Sequence, residues 1–396
     1  MSATPPPAAS RPWIMLALVV LIGLNLRPFL AAPGPLLPAI AADTGLALYG
    51  SSMLTLLPMA LMGVGAFVSP ALEAMVGTRR GLLVALAVLT LGSLLRLWGG
   101  SAAVLIATSA LCGVGVAFIQ AAFPGIIKER FPTAVAGVTG LYSAMIMGGG
   151  ALGAVLMPAL TAAGIDWRVA LASLAAPAAV ALAVSALALP DGKGAQPDRA
   201  IAGRLLRRPR IWALMIAFGL VNAGYTSMIA WLSPYYQALG WTSGSSSQLV
   251  AVMALCQAAA ALGLPLLARH RIDRRPWLIA TLAMQATGFA GLVFAPAAAP
   301  DVWAGICGAG LGGSFALAIV TALDHLPTPR EAGAVAALMQ GGGFLIAALG
   351  PYATAFLHGL SGGFAAGWIL HLACVAATSL IYLRFNPRLY PQAMAA

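Results

Sequence analysis

The chain is short of charge. Only 8% of its 396 residues are Asp, Glu, Lys or Arg, where an ordinary soluble domain carries about 25%. That shortage excludes a conventional soluble enzyme. Cysteine is sparse as well. The four residues Cys112, Cys256, Cys307 and Cys374 all sit inside apolar segments with no CxxC pair and no Cys/His cluster, which excludes a disulfide scaffold and a structural zinc site. Acids are scarcer than bases, at 10 against 21, and form no group suited to acid–base chemistry or metal binding. No metal or cofactor is therefore expected.

What is abundant is apolar surface, with 61% of the residues hydrophobic. A disordered chain could not leave that much in water. The apolar residues run in blocks of about 20 instead of alternating, so the expected class is an all-α membrane protein and not a β-barrel. Breaking the chain at polar, charged and Pro/Gly-rich stretches gives twelve spans. They cover 13–33, 47–69, 80–98, 102–125, 133–158, 168–189, 211–236, 246–268, 277–296, 302–325, 332–357 and 363–384. Arg27 interrupts the first apolar run and no small-residue cleavage site follows, so that run is expected to be a retained helix.

The bases sort by side. With the N-terminus inside, all but Arg27, Arg96 and Arg168 of the 21 Lys and Arg residues fall in cytoplasmic segments. This asymmetry is the positive-inside rule and places both termini in the cytoplasm of a bacterial inner membrane. It also removes nucleic acid as a partner, because no basic domain is left to bind it. Residues 190–210, PDGKGAQPDRAIAGRLLRRPR, are the one long polar stretch between spans. They divide a tail at 1–12 and a bundle at 13–189 from a second bundle at 211–384 and a tail at 385–396. Their basic, amphipathic character suits the anionic inner leaflet.

The two halves repeat each other at an offset of about 195 residues. Met59-Ala60-Leu61 matches Met253-Ala254-Leu255, Arg79-Arg80 matches Arg274-Arg275, and Cys112-Gly113-x-Gly115 matches Cys307-Gly308-x-Gly310. Pro70 and Pro132 match Pro265 and Pro327, and GGGALGAVLMP at 148–158 matches GGGFLIAALGP at 341–351. Two pseudo-symmetric six-helix bundles joined by a cytoplasmic loop are the plan of secondary transporters that rock about a midplane site.

Several segments carry a more specific likeness. Asn25-Leu26-Arg27-Pro28, then Gly34-Pro35-Leu36-Leu37-Pro38-Ala39-Ile40, open the chain. Pro124-Gly125-Ile126-Ile127-Lys128 with Phe131-Pro132, Gly137-x-x-Gly140-x-Tyr142-Ser143 and Trp167-Arg168 follow. The second half adds Trp231-Leu232, Gly310-Leu311-Gly312-Gly313, and Gln340 to Gly343 leading to Gly350-Pro351. Over nearly its whole length the chain resembles the cyanate and nitroimidazole transporter family of the major facilitator superfamily. The resemblance implies the twelve-helix fold of that superfamily and alternating access. It departs from the pattern at three places. Ala74 beside Glu73 stands where the superfamily usually has an Asp ahead of Gly-x-Arg-Arg. Ser233 interrupts the family's Trp-Leu-Pro, and Phe344 stands where relatives have Tyr. The first removes the usual gating carboxylate; the other two leave open a substrate other than cyanate.

Arg27 is the most informative residue. It lies about 14 residues, hence about 21 Å, into the first helix. An arginine there costs at least about 2.5–3.5 kcal/mol on insertion scales, so it should face a cavity or a partner. Acids at its depth are missing: Asp43 falls in an outer loop, and Glu73 and Asp324 fall at inner ends. One reading gives Arg27 an anionic substrate to hold with its guanidinium fork. The competing reading has it snorkel outward or bond carbonyls freed by Pro28 and Pro33. Asn25 would border the same cavity. Asn222 and Tyr225, at i and i+3 in the seventh helix, would face it from the other half. Gln120, Tyr142, Gln257 and Gln340 complete the candidate substrate site, with Ser314 also inside its span; interhelical hydrogen bonding is the alternative for each.

Glu73, Arg79, Arg80, Lys128, Glu129, Asp324 and Arg330 lie at inner helix ends and are expected to gate, with Glu129 and Asp324 in ion pairs with nearby bases. Gly148 to Gly150 and Gly341 to Gly343 are not phosphate loops, since no Lys-Ser/Thr follows. His325 and His371 lack paired ligands for a metal. No carboxylate marks a proton path at mid-membrane, so uniport, exchange, or anion symport with the substrate sharing in proton balance is expected. A multidrug/proton antiporter would predict cationic ligands, and a membrane enzyme or sensor would need a catalytic cluster or an output domain. The expected partners are a small, anionic substrate and lipids, with protons or a counter-anion as coupling species, in a monomer.

Overall fold

The computed structural model describes residues 12–46, 48–189 and 199–395, and among these residues there are helices and turns but no strand. Hydrocarbon offers no partner for backbone groups, so each span must satisfy its own, which a helix does. The first span is broken into α1 (Pro12–Asn25), α2 (Pro28–Ala31) and α3 (Pro33–Thr44). It runs on well past residue 33 because Pro33 starts a new helical piece, the position at which a missing N–H does least harm. Next come α4 (Leu48–Val76) and α5 (Thr78–Leu94), the latter ending in a 3-10 turn, Leu95–Trp98. α6 (Ala102–Arg130) and α7 (Val135–Ala162) are followed by α8 (Trp167–Ala172) and α9 (Ala175–Ala188), which together make the sixth span.

The basic stretch between the halves holds α10 (Arg199–Leu206); residues 190–198, with Lys193, lie outside the described residues, as does Arg11. The second half is α11 (Pro209–Ala238), α12 (Ser243–Ala268), α13 (Arg275–Phe294), α14 (Pro300–Asp324), α15 (Pro329–Ser361) and α16 (Ala365–Leu383). A 3-10 turn at Pro387–Leu389 and α17 (Tyr390–Met394) close the described chain. Among the described residues, eleven segments are long and apolar enough to cross a membrane. The twelfth span is α4, 29 residues long, with its apolar stretch at Met53–Ser69.

The repeat is visible in the packing. In the first half α6 packs against α4 and α5; in the second half α14 packs against α12 and α13. At equivalent places a Cβ built on Gly115 would meet the Ala85 carbonyl oxygen at 2.6 Å, and one on Gly310 the Thr281 carbonyl oxygen at 2.5 Å. Glycine is thus required twice, by the same helix crossing. The halves meet through α7 against α12 and α14, and through α15 against α4 and α6.

Twelve spans put both ends of the described chain on one face, here termed the terminal face. There the halves are closed on each other, with the Cα atoms of Gly125 (α6) and Gly333 (α15) in close approach. Toward the opposite face they part around a cavity of about 400 Å³, lined by α3, α4, α7, α11, α12 and Pro351 of α15. It reaches from Leu46 and Gln237 down to Leu30 and Ala31, one turn beyond Arg27.

Candidate substrate site between the halves

Pro28 has no N–H, so α1 ends at Asn25 and Arg27 becomes the N-cap of α2, with φ −123° and ψ −19°. The break turns the Arg27 side chain inward, where it is fully buried. Its Nη1 reaches Met59 Sδ at 3.5 Å, while Nε and Nη2 have no hydrogen-bond partner. No carboxylate pairs with it among the described residues. Instead, aromatic faces flank the guanidinium: the Tyr225 ring centre lies 5.3 Å away and that of Phe344 5.5 Å away, both within cation–π range. The competing role, bonding a freed carbonyl, falls to another arginine. Arg96 donates through Nη2 to the Phe29 carbonyl at 3.0 Å and to Ser109 Oγ at 3.1 Å.

Spare hydrogen-bonding capacity surrounds Arg27. Tyr142 is stacked on Phe123 at 5.1 Å, lies within electrostatic reach of Arg27, and has a buried hydroxyl with no partner. Gln120, one turn before Phe123, leaves both side-chain amide atoms unpaired. Gln340, one turn before Phe344, donates to the Gln120 carbonyl at 3.1 Å and leaves its own Oε1 unpaired. Buried polar groups are normally satisfied, so the open nitrogens of Arg27 and the open Tyr142 hydroxyl within its electrostatic reach can take a ligand, and Gln120 and Gln340 adjoin them one turn from Phe123 and Phe344. Tyr225 faces it from α11, and Asn222, three residues earlier on that helix, is buried and donates through Nδ2 to the Phe218 carbonyl at 2.8 Å.

Asn25 and Ser314 are engaged elsewhere. Asn25 donates to the Leu21 carbonyl at 2.8 Å and to Pro177 of α9 at 3.3 Å, so it joins the first and sixth spans and does not line the Arg27 site. Gln257 is buried on α12, with its backbone pressed against Gly312 of α14. Ser314 is satisfied by Thr281 at 2.6 Å and Gln285 at 2.9 Å within the second half.

The terminal-face residues correct one expectation. Asp324 pairs with Arg274 at 3.1 Å, inside its own half, and Glu129 is exposed, with no ion pair on it among those the structure records. The cross-half contact is made by Lys128, whose Nζ donates to the carbonyls of Leu323 and, at 2.6 Å, Leu326. A cation at the C-terminal end of α14 meets the negative pole of the helix dipole and its unpaired carbonyls, and Asp324 lies within electrostatic reach of it. Glu73 accepts from the Thr78 hydroxyl, and Arg79 donates to the Ala186 carbonyl at 2.7 Å; both contacts stay within the first half. Arg80 and Arg330 are exposed.

Near the opposite face Asp43, on α3 and not in a loop, accepts from the Trp167 indole at 2.9 Å and Arg168 at 3.1 Å. Those two donors hold its carboxyl below the usual carboxylate range. Arg96, counted on the outer side and within the third span, is fully buried at the end of that span. Its signal was the one that exposed Arg27, a charge inside the apolar run Leu94-Leu95-Arg96-Leu97-Trp98.

Residues 15–351 match the family model described as Major Facilitator Superfamily. The chain belongs to this superfamily. Within it, the chain is 41% identical to the cyanate transport protein CynX of Escherichia coli (strain K12), over 96% of this chain and 98% of that protein. It is 28% identical to the 2-nitroimidazole transporter of the same organism, over 94% of each. These matches put it in the cyanate and nitroimidazole transporter family. Its fold is similar to that of the proton:xylose symporter XylE, with a TM-score of 0.77 at 13% identity over 94% of this chain and 95% of that one. The family and fold make it a multi-pass membrane transporter of a small molecule, not an enzyme.

Proposed function

We propose that this transporter carries a small anion, or a polar nitrogen-containing compound of similar size, across the bacterial inner membrane by alternating access, and that Arg27 holds it. The observation that carries the reading is the Arg27 guanidinium, fully buried between the halves with two nitrogens unpaired and, among the described residues, no carboxylate paired with it. A buried cation is costly alone and far less so when paired, so an arriving anion meets a guanidinium with two nitrogens open to it. The relatives are named for cyanate and 2-nitroimidazole, both flat and rich in acceptor atoms. A flat solute suits a guanidinium bounded by the Tyr225 and Phe344 rings, with the Tyr142 hydroxyl and the Gln120 amide nitrogen as further donors.

The distribution of Lys and Arg supports a cytoplasmic terminal face. The closed contacts at Lys128 and Gly125 then seal the inside, the cavity opens outward, and the chain is in an outward-facing state. Gating belongs to Lys128 with the end of α14, while Glu73, Arg79 and the Asp324–Arg274 pair brace each half. Among the described residues no acid lies beside Arg27, so coupling runs through the substrate's own protonation or exchange, and a monomer suffices.

Uptake of labelled cyanate into proteoliposomes tests this. Wild type should accumulate the label and Arg27→Gln should not, although it folds and inserts. Equal uptake by both would contradict the assignment of Arg27.

A further inference from the structure

The first span contains a carbonyl its own helix cannot satisfy. In a continuous α-helix the amide of residue 33 would donate to the carbonyl of Phe29 four residues earlier. Residue 33 is proline and has no amide hydrogen. The backbone nonetheless stays helical across the junction, since Ala32 has φ −62° and ψ −36°. The Phe29 carbonyl therefore keeps its helical direction and lacks only its donor. Arg96 occupies that place, its Nη2 at 3.0 Å from the Phe29 oxygen and 3.1 Å from Ser109 Oγ of α6.

We propose that Arg96 is a positioning residue for substrate binding: its guanidinium replaces the amide that Pro33 lacks and so fixes α2 at the angle that aims Arg27 between the halves. The proposal rests on the reading of Arg27 as the substrate's partner. α2 is four residues long, with Arg27 as its cap, and its own bonds are few: Leu30 and Ala31 donate to Arg27 and Ala32 donates to Pro28. One turn held so lightly needs an outside anchor, and a charged donor is roughly twice as strong as a neutral one. Arg96 and Ser109 belong to the same half as Arg27, so the anchor travels with α2 as the halves rock.

The test is a double-mutant cycle between Arg96→Met and Pro33→Ala, read as the KM for labelled cyanate in proteoliposomes and as melting temperature. Arg96→Met should raise KM about tenfold, because a smaller fraction of molecules keeps the competent break. Pro33→Ala supplies the missing amide on a backbone already helical, so the double variant should return to within about threefold of wild type. A merely structural arginine would not be rescued by a change at residue 33. A double variant as weak as Arg96→Met, or a melting-temperature loss that Pro33→Ala leaves undiminished, overturns the proposal. If Arg96→Met alone fails to fold, recovery of folding and of near-wild-type KM in the double variant supports it, and an unfolded double variant contradicts it. The Arg27 assignment fails separately, on an unchanged KM in Arg27→Gln.

Discussion

Arg27 of the first half lies 5.3 Å from the ring centre of Tyr225 of the second half, so the buried cation is held by an aromatic face across the boundary that must part during transport. A cation–π contact at a desolvated place is worth about 2 kcal/mol, enough to bias the two halves toward one arrangement. Tyr225→Leu keeps the apolar bulk and removes the ring face. It should weaken anion affinity about tenfold or more while leaving expression unchanged, measured as the KM for labelled cyanate.

Lys128 predicts a second outcome. Its bonds to the Leu323 and Leu326 carbonyls close the terminal face, and Lys128→Met removes a cation from the dipole of α14. Spin labels on exposed Thr133 and Pro327, in the loops after α6 and α14, report that closure. In Lys128→Met their distance distribution should broaden toward longer separations; an unchanged distribution would mean that the helix contacts alone hold the gate.

The glycine run in α7 separates packing from propensity. A Cβ on Gly148 would meet nothing within 4 Å, whereas one on Gly149 would overlap the Leu24 carbonyl of α1. Gly148→Ala should be neutral or stabilise by about 0.5–1 kcal/mol through helix propensity. Gly149→Ala should destabilise by about 1–3 kcal/mol because α1 must shift. Melting temperatures in detergent compare the two, and equal values would refute the α1–α7 contact.

The C-terminal segment predicts a pH dependence. His325 is buried against Tyr390, with ring centres 3.8 Å apart, and its Nδ1 meets the Thr321 carbonyl at 2.7 Å. Burial, with Arg210 nearby, pushes the imidazole down to about 4 from its ordinary 6.5. The unfolded chain thus binds a proton that the folded one refuses. The stabilisation is complete above pH 6.5 and is lost as pH falls from there toward 4. Substituting His325→Gln should flatten that part of the melting-temperature profile; a profile as steep as wild type would show that His325 does not titrate there.

The spans, the repeat and Arg27 were legible in the sequence because each is a break in an otherwise apolar pattern. Other features had no such mark. Lys128 bonds backbone carbonyls, which every residue has, so its partners leave no trace in the letters. Asp324 finds Arg274 fifty residues away in the chain, and at similar depth Lys128 and Arg330 were as plausible from sequence. Asn25 is two residues from Arg27, but the helix breaks between them, and the change of register turns Asn25 to α9. Arg96 is the exception, a charge inside an apolar run like Arg27, but only the fold shows it turned back toward Phe29.

The central claim is that Arg27 is completed by an anion, and binding tests it more directly than flux. Detergent-purified protein and its Arg27→Ala variant would be melted with cyanate, nitrate, small carboxylates, 2-nitroimidazole and lipophilic cations. A ligand at 100 times its dissociation constant stabilises the folded state by about 2.7 kcal/mol, a readable shift. The account predicts that a flat anion or nitroimidazole raises the melting temperature of wild type and not of the variant. Stabilisation by cations, equal in both proteins, would contradict it.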